Sequence, residues 1–132
     1  MIREHRVGHP LSLWLPCVVY FAAIFWISSQ SYPIVSPPSF AGGDKLAHGA
    51  AYALLGLLLC RAYAGSGLGR AAAFALAVIT ASLYGASDEW HQSFVPHRSM
   101  DALDWLSDTV GATLGAAAWL SLRLRRPQAS IR

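Results

Sequence analysis

The sequence predicts an all-α integral membrane bundle of four transmembrane helices, with the N- and C-termini cytoplasmic. Three observations predict it: four separated apolar stretches, a low share of charged residues, and a sorting of basic from acidic residues between alternate connections. Hydrophobic residues make up 55% of the 132-residue chain and charged residues only 13%, against about 25% in ordinary soluble domains. Mean hydropathy is +0.39 and the isoelectric point about 9.2. The basic balance does not come from a clustered face of arginines, so no nucleic-acid partner is expected. Arginines flanking apolar segments have a simpler cause in membrane topology. The length fits a single domain over residues 1–132.

The apolar stretches run from Leu11 to Ile27, Leu46 to Ala64, Ala71 to Ala86 and Trp105 to Leu122. A crossing helix needs about 20 apolar residues, within a range of about 17–25. The first and third stretches are short alone, but Ser28–Gln30 and Ser87–Trp90 extend them at the interface. The resulting spans are about 11–28, 46–64, 71–90 and 104–122. Backbone groups have no water partner inside a bilayer, so each span must be a helix. The basic stretch Arg3–Arg6 ahead of the first run fits the pattern of a secretory signal. That run exceeds the usual h-region of about 7–15 residues and no A-x-A site follows it, so it is read as an uncleaved span.

Charges set the topology. With four spans, Arg3, Arg6, Arg61, Arg70, Arg123, Arg125, Arg126 and Arg132 share one side, and the positive-inside rule makes that side cytoplasmic. Lys45 and Arg98 fall on the other side, together with Asp44, Asp88, Glu89, Asp101, Asp104 and Asp108. Only Glu4 separates from the other acids. A count of three or five spans would scramble this order. The outer connection from Ser28 to Gly43 carries Pro33, Pro37 and Pro38, and the inner turn is Gly65-Ser66-Gly67-Leu68-Gly69. Cys17 and Cys60 are expected to be packing residues without a disulfide. The five tryptophans are read mostly as interfacial anchors.

The outer helix ends carry the chemistry. Asp44, His48 and Tyr52 are four residues apart and line one helical face. Tyr84, Asp88 and Gln92 repeat that spacing on the third helix, with Glu89 beside them. Asp101, Asp104 and Asp108 enter the fourth, and Gly111 and Gly115 continue that stripe as a small-xxx-small pair, for packing inside the bundle or between copies. Ionisable groups this near hydrocarbon normally face the bundle interior, pair, or mark a functional path. The carboxylates outnumber the fixed cations, so at least one is expected to be held protonated or to meet an external cation. Glu89 next to Asp88 has no capping role at a helix C-terminus, where the macrodipole disfavours anions, and Arg98 is the expected counter-ion.

In this order the motifs resemble the VanZ-like family of small bacterial membrane proteins over nearly the whole chain. The resemblance rests on Ser28-Ser29-Gln30, on Asp44-Lys45-Leu46-Ala47-His48 with Tyr52, and above all on the string from Tyr84 to Arg98. That string reads D-E-x-x-Q-x-F-x-P-x-R from Asp88, and Asp101, Asp104 and Gly111 complete the pattern. One departure is Asp108, where the family often has Asn. The family takes its name from a protein associated with antibiotic resistance to teicoplanin, a lipoglycopeptide. The resemblance therefore implies a multi-pass protein of the bacterial cytoplasmic (inner) membrane, with its polar cluster on the extracytoplasmic side and work in the cell envelope.

Three functional classes follow. In the first, the outer cluster is an enzyme site for an envelope lipid or lipid-linked cell-wall precursor. Glu89 or Asp88 serves as general acid or base and His48 as the second proton-transfer group. Arg98 holds a substrate phosphate or carboxylate, and Gln92, Tyr52, Asp44, Lys45 and Asp104 complete the binding set. No cofactor motif is present. A divalent cation on Asp88, Glu89, Asp104 and His48 is a variant suited to hard oxygen ligands. In the second class the pocket binds a membrane lipid or a lipophilic antibiotic without chemistry. In the third the network only fixes helix register. Oligomerisation is compatible with all three.

Overall fold

The computed structural model describes residues 9–34 and 36–124. Within them the chain forms α1 (Pro10–Ser28), α2 (Gly43–Gly65), α3 (Arg70–Gln92) and α4 (Ala102–Leu124). Each expected span lies inside one of these helices. The helices run a few residues past the apolar stretches because the polar flanks continue the backbone hydrogen bonding. Arg3, Arg6, Arg125, Arg126 and Arg132, on which part of the expected topology rests, lie outside the described residues.

Local chemistry sets the boundaries. Pro10 occupies the first turn of α1, where its missing N–H costs nothing. Gly42 precedes α2 with φ of +85°, a backbone state that glycine enters without penalty. Asp101 caps α4: its Oδ1 accepts the Leu103 N–H at 2.8 Å, satisfying a donor the first turn leaves unpaired.

α1, α2 and α3 are each long and apolar enough to cross a membrane. α4 does not reach that level, because Asp104 and Asp108 occupy its first two turns and glycine and alanine much of the remainder. The distribution of side-chain size supports a membrane setting for the whole bundle. Ala73, Ala77, Ala81, Ala112 and Ala116 are fully buried, whereas Leu15, Val18, Trp26, Leu83, Trp90, Leu106 and Leu114 point outward. Membrane helices place small residues at their contacts and leave large apolar ones to lipid. This chain is a membrane protein built that way.

The tightest contact joins α2 and α4. A Cβ on Gly111 would strike the backbone carbonyl of Gly49, one on Gly115 that of Ala53, and one on Gly56 that of Ala112. The small-xxx-small pair therefore serves packing inside the bundle. α3 lies against both helices, and α1 is peripheral, touching α2 and, more lightly, α3. Its attachments are polar as well as apolar. The Tyr20 hydroxyl donates to the Ala51 carbonyl at 3.0 Å, the Tyr84 hydroxyl to the Phe21 carbonyl at 2.7 Å, and the Arg61 guanidinium to the Ser12 carbonyl at 3.1 Å. Leu13 fills the space over Gly65. Cys17 and Cys60 are buried and free, as packing residues.

Tyr84→Phe deletes the hydrogen bond to Phe21 while keeping the ring contact, 4.5 Å between centroids. It is expected to destabilise the protein by about 1 kcal/mol. Thermal unfolding in detergent checks this; an unchanged midpoint would show that the bond does not hold α1 in place.

Candidate functional site

The C-terminal ends of α1 and α3 and the N-terminal ends of α2 and α4 meet at one end of the bundle. This places the acidic residues of three helices together, as their sequence order implied. The adjacent acids of α3 then separate. Successive helical residues lie about 100° apart, so Asp88 turns toward α1 while Glu89 turns toward α2 and α4.

Asp88 is buried and accepts two hydrogen bonds. The Ser28 hydroxyl donates to Oδ1 at 2.5 Å and the Gln92 amide to Oδ2 at 3.2 Å. Glu89, only 2% exposed, accepts the Asp101 backbone N–H on Oε2 at 2.7 Å. The expected ion pair of Arg98 with these carboxylates does not form among the described residues: Lys45 alone of the lysines and arginines pairs with an acid. Burial of Asp88 and Glu89 is met by hydrogen-bond donors instead of by charge.

His48 is the centre of the second network. Its Nδ1 lies 3.0 Å from Oδ1 of Asp108, a residue with no exposed surface. Facing a carboxylate, Nδ1 is assigned as the donor of this hydrogen bond. Nε2 stands 3.7 Å from Asp104 Oδ2, and a Glu89 carboxylate oxygen, an Asp104 oxygen and a His48 nitrogen lie within 4.8 Å of one another. Lys45 sits outside this group with its Nζ 2.6 Å from Asp104, 2.6 Å from Asp101 and 2.9 Å from Asp44. Its ammonium, together with the Leu103 N–H, holds the Asp101 carboxyl below the usual carboxylate range.

A cavity of about 380 Å³ opens beside the two networks. Ile24, Ile27 and Ala23 of α1 and Pro33, Ile34, Pro37 and Pro38 of the following connection form its apolar side. Ser28, Asp88, Gln92, Arg98, His48, Tyr52 and Asp44 form its polar side. The proline-rich connection is thus a wall of the cavity. Of the residues singled out in the sequence, Asp88, His48, Arg98, Gln92, Tyr52 and Asp44 line the cavity. Glu89, Asp104 and Lys45 lie behind it. Tyr52 is 2% exposed, and its hydroxyl has no hydrogen-bond partner, nor do Glu89 Oε1, Asp108 Oδ2 and Arg98 Nε.

Sequence reasoning gave no role to Ser28, Tyr20 or Asp108. Ser28 entered only as part of the Ser28-Ser29-Gln30 stretch, with no contact attached to it, and a tyrosine such as Tyr20 in a span is ordinary. Asp108 did carry one, being four residues beyond Asp104 and one turn deeper in the hydrocarbon. His91 and His97 stay out of the site. The His91 Nε2 lies 3.0 Å from the Ser29 hydroxyl, and His97, at φ of +63°, stacks on Tyr32 with centroids 5.3 Å apart. Trp14 and Trp105 are anchored through their indole N–H groups, to the Ser66 hydroxyl and the Ser82 carbonyl.

Neither curated proteins nor solved structures offer a match to this chain. The model of the family described as VanZ/LLP1 does match it, across residues 11–123. That range takes in all four helices except their outermost residues, and the whole of both networks and the cavity. This membrane protein belongs to the VanZ/LLP1 family.

Proposed function

We propose that the chain crosses the bacterial cytoplasmic membrane four times, with the acidic end on the extracytoplasmic side, and there processes an anionic lipid or lipid-linked precursor of the envelope. Arg61, Arg70 and Arg123 stand at the end of the bundle opposite the acids, which favours this orientation. The cavity carries the reading of the ligand. Its volume of about 380 Å³ is within the range of small-ligand sites, and it joins an apolar wall to a polar end, as an amphiphile requires. At the polar end Arg98 has no ion-pair partner among the described residues, so its fork-shaped guanidinium is free to take a phosphate or carboxylate.

The chemistry falls to the cavity's titratable groups. His48, oriented by Asp108, accepts a proton at Nε2, as a histidine held by a buried carboxylate does in acyl- and phosphoryl-transfer sites. Asp88, aimed by Ser28 and Gln92, faces the same space. Glu89 shapes the field behind His48.

Native mass spectrometry of protein purified in mild detergent tests the reading. Wild type is expected to retain an anionic amphiphile, with occupancy at least tenfold lower in Arg98→Ala. His48→Gln should retain the amphiphile and lose its conversion in proteoliposomes. A wild-type protein that retains no lipid, or an Arg98→Ala variant with full occupancy, would remove the ligand assignment. Retention without conversion by wild type would place the protein among lipid- or antibiotic-binding proteins instead.

A further inference from the structure

We propose that His48, Glu89 and Asp104 form a binding site for one divalent transition-metal ion, with Asp108 behind the histidine. The three side chains come from α2, α3 and α4 and present their ligand atoms within 4.8 Å of one another. An ion with metal–ligand bonds of about 2.0–2.2 Å draws its ligands to within about 4.4 Å of each other, so small side-chain rotations complete the site.

Each of the three is held from behind and has a ligand atom left over. His48 gives Nδ1 to Asp108 at 3.0 Å, leaving Nε2. Asp104 gives Oδ1 to Lys45 at 2.6 Å, leaving Oδ2 turned toward Nε2 at 3.7 Å. Glu89 gives Oε2 to the Asp101 N–H at 2.7 Å, leaving Oε1. That last atom supplies an observation independent of the clustering. Glu89 is 2% exposed and its Oε1 is buried without a hydrogen-bond partner. An ionised carboxylate oxygen in that position is costly; a cation meeting it, or protonation, removes the cost.

The arrangement of Asp108, His48 and ion is the carboxylate–histidine–metal relay in which the second carboxylate fixes tautomer and ring orientation. One imidazole with two carboxylates suits Mn²⁺ or Zn²⁺ better than Ca²⁺, which takes oxygen ligands throughout. Charge agrees: Glu89, Asp104 and Asp108 face only Lys45 among fixed cations in their network. His48 also lines the cavity, which gives the ion a route in. The site stands on its own residues and does not depend on which amphiphile the cavity holds; with the ion bound, His48 Nε2 is a ligand and proton transfer in the cavity falls to Asp88.

The test uses the full-length protein in detergent, washed with chelator and titrated with Mn²⁺ or Zn²⁺ in the absence of lipid. One ion per chain is expected, with pulsed electron paramagnetic resonance of the Mn²⁺ form showing coupling to a single histidine nitrogen. Glu89→Gln and His48→Gln should each weaken binding at least tenfold, and Asp108→Asn about 10- to 100-fold through the histidine. His97→Asn, which removes an exposed histidine outside the site, should change binding less than twofold. The nitrogen coupling is read in wild type, so it remains decisive if a variant fails to fold. Absence of a saturable site, absence of nitrogen coupling, or equal weakening by His97→Asn would overturn the proposal.

Discussion

Gly111→Ala is expected to destabilise the protein by about 3 kcal/mol, at the upper end of the range for overpacked cores. The reason is what the added methyl meets. It would strike the backbone of Gly49 on the facing helix, and a backbone cannot rotate away as a side chain does. α2 and α4 must then separate along the closest contact in the bundle, which also carries Gly115 against Ala53 and Ala112 against Gly56. The partner position gives an internal control. A Cβ on Gly49 would have only the Ser107 carbonyl near it, at 3.5 Å, which is ordinary van der Waals contact. Gly49→Ala should therefore leave stability within about 1 kcal/mol of wild type, the scale of the glycine-to-alanine propensity difference. Thermal unfolding of both variants in the same detergent checks the asymmetry. Equal midpoints for the two would refute the account of the α2–α4 interface.

Asp108→Ala should cost about 3 kcal/mol, the upper end of the range for leaving a buried hydrogen-bond donor without its partner, with the void adding to it. Asp108 has no exposed surface and its Oδ1 holds His48 Nδ1 at 3.0 Å. Alanine leaves that N–H without an acceptor and a void beside Gly85, whose backbone packs against the Asp108 side chain. Asp108→Asn keeps the shape and presents a carbonyl oxygen, so it should retain most of the stability, losing about 1–2 kcal/mol. Nitrogen NMR of labelled histidine reads the cause directly. The His48 signal should report an Nδ1–H tautomer in wild type and a tautomer mixture in Asp108→Ala. A fixed tautomer in the alanine variant would show that Asp108 does not orient the ring.

Much of this was legible in the chain because membrane insertion acts on composition. Runs of apolar residues must become helices where water is absent, and the alternation of basic and acidic connections then arranges their ends. The gathering of Asp44, Asp88, Glu89, Asp101, Asp104 and Asp108 at one end needed no tertiary information. The four-residue spacing of His48 and Tyr52 likewise places both on one inward face of α2. The D-E-x-x-Q-x-F-x-P-x-R string, with its companions on the other helices, pointed to the family that the match over residues 11–123 confirms.

Spacing along one helix says which residues share a face, but not which neighbour that face meets. Asp88 and Glu89, adjacent in sequence, divide between a cavity shared with α1 and a network shared with α2 and α4. Arg98, the expected counter-ion, is displaced by neutral donors from Ser28, Gln92 and the Asp101 backbone. The role of Gly111 and Gly115 was open between packing within one chain and between copies, and the approach of α4 to α2 settled it for the former.

What the sequence by itself determined is the helical membrane bundle, its family and the end of the molecule where its ionisable groups collect, because each follows from hydropathy, charge and local order. Only the tertiary structure decided which carboxylate faces which partner and that Asp108 stands behind His48. Those pairings depend on the rotation and separation of helices, which backbone contacts at glycine and alanine set across distances the linear order does not encode.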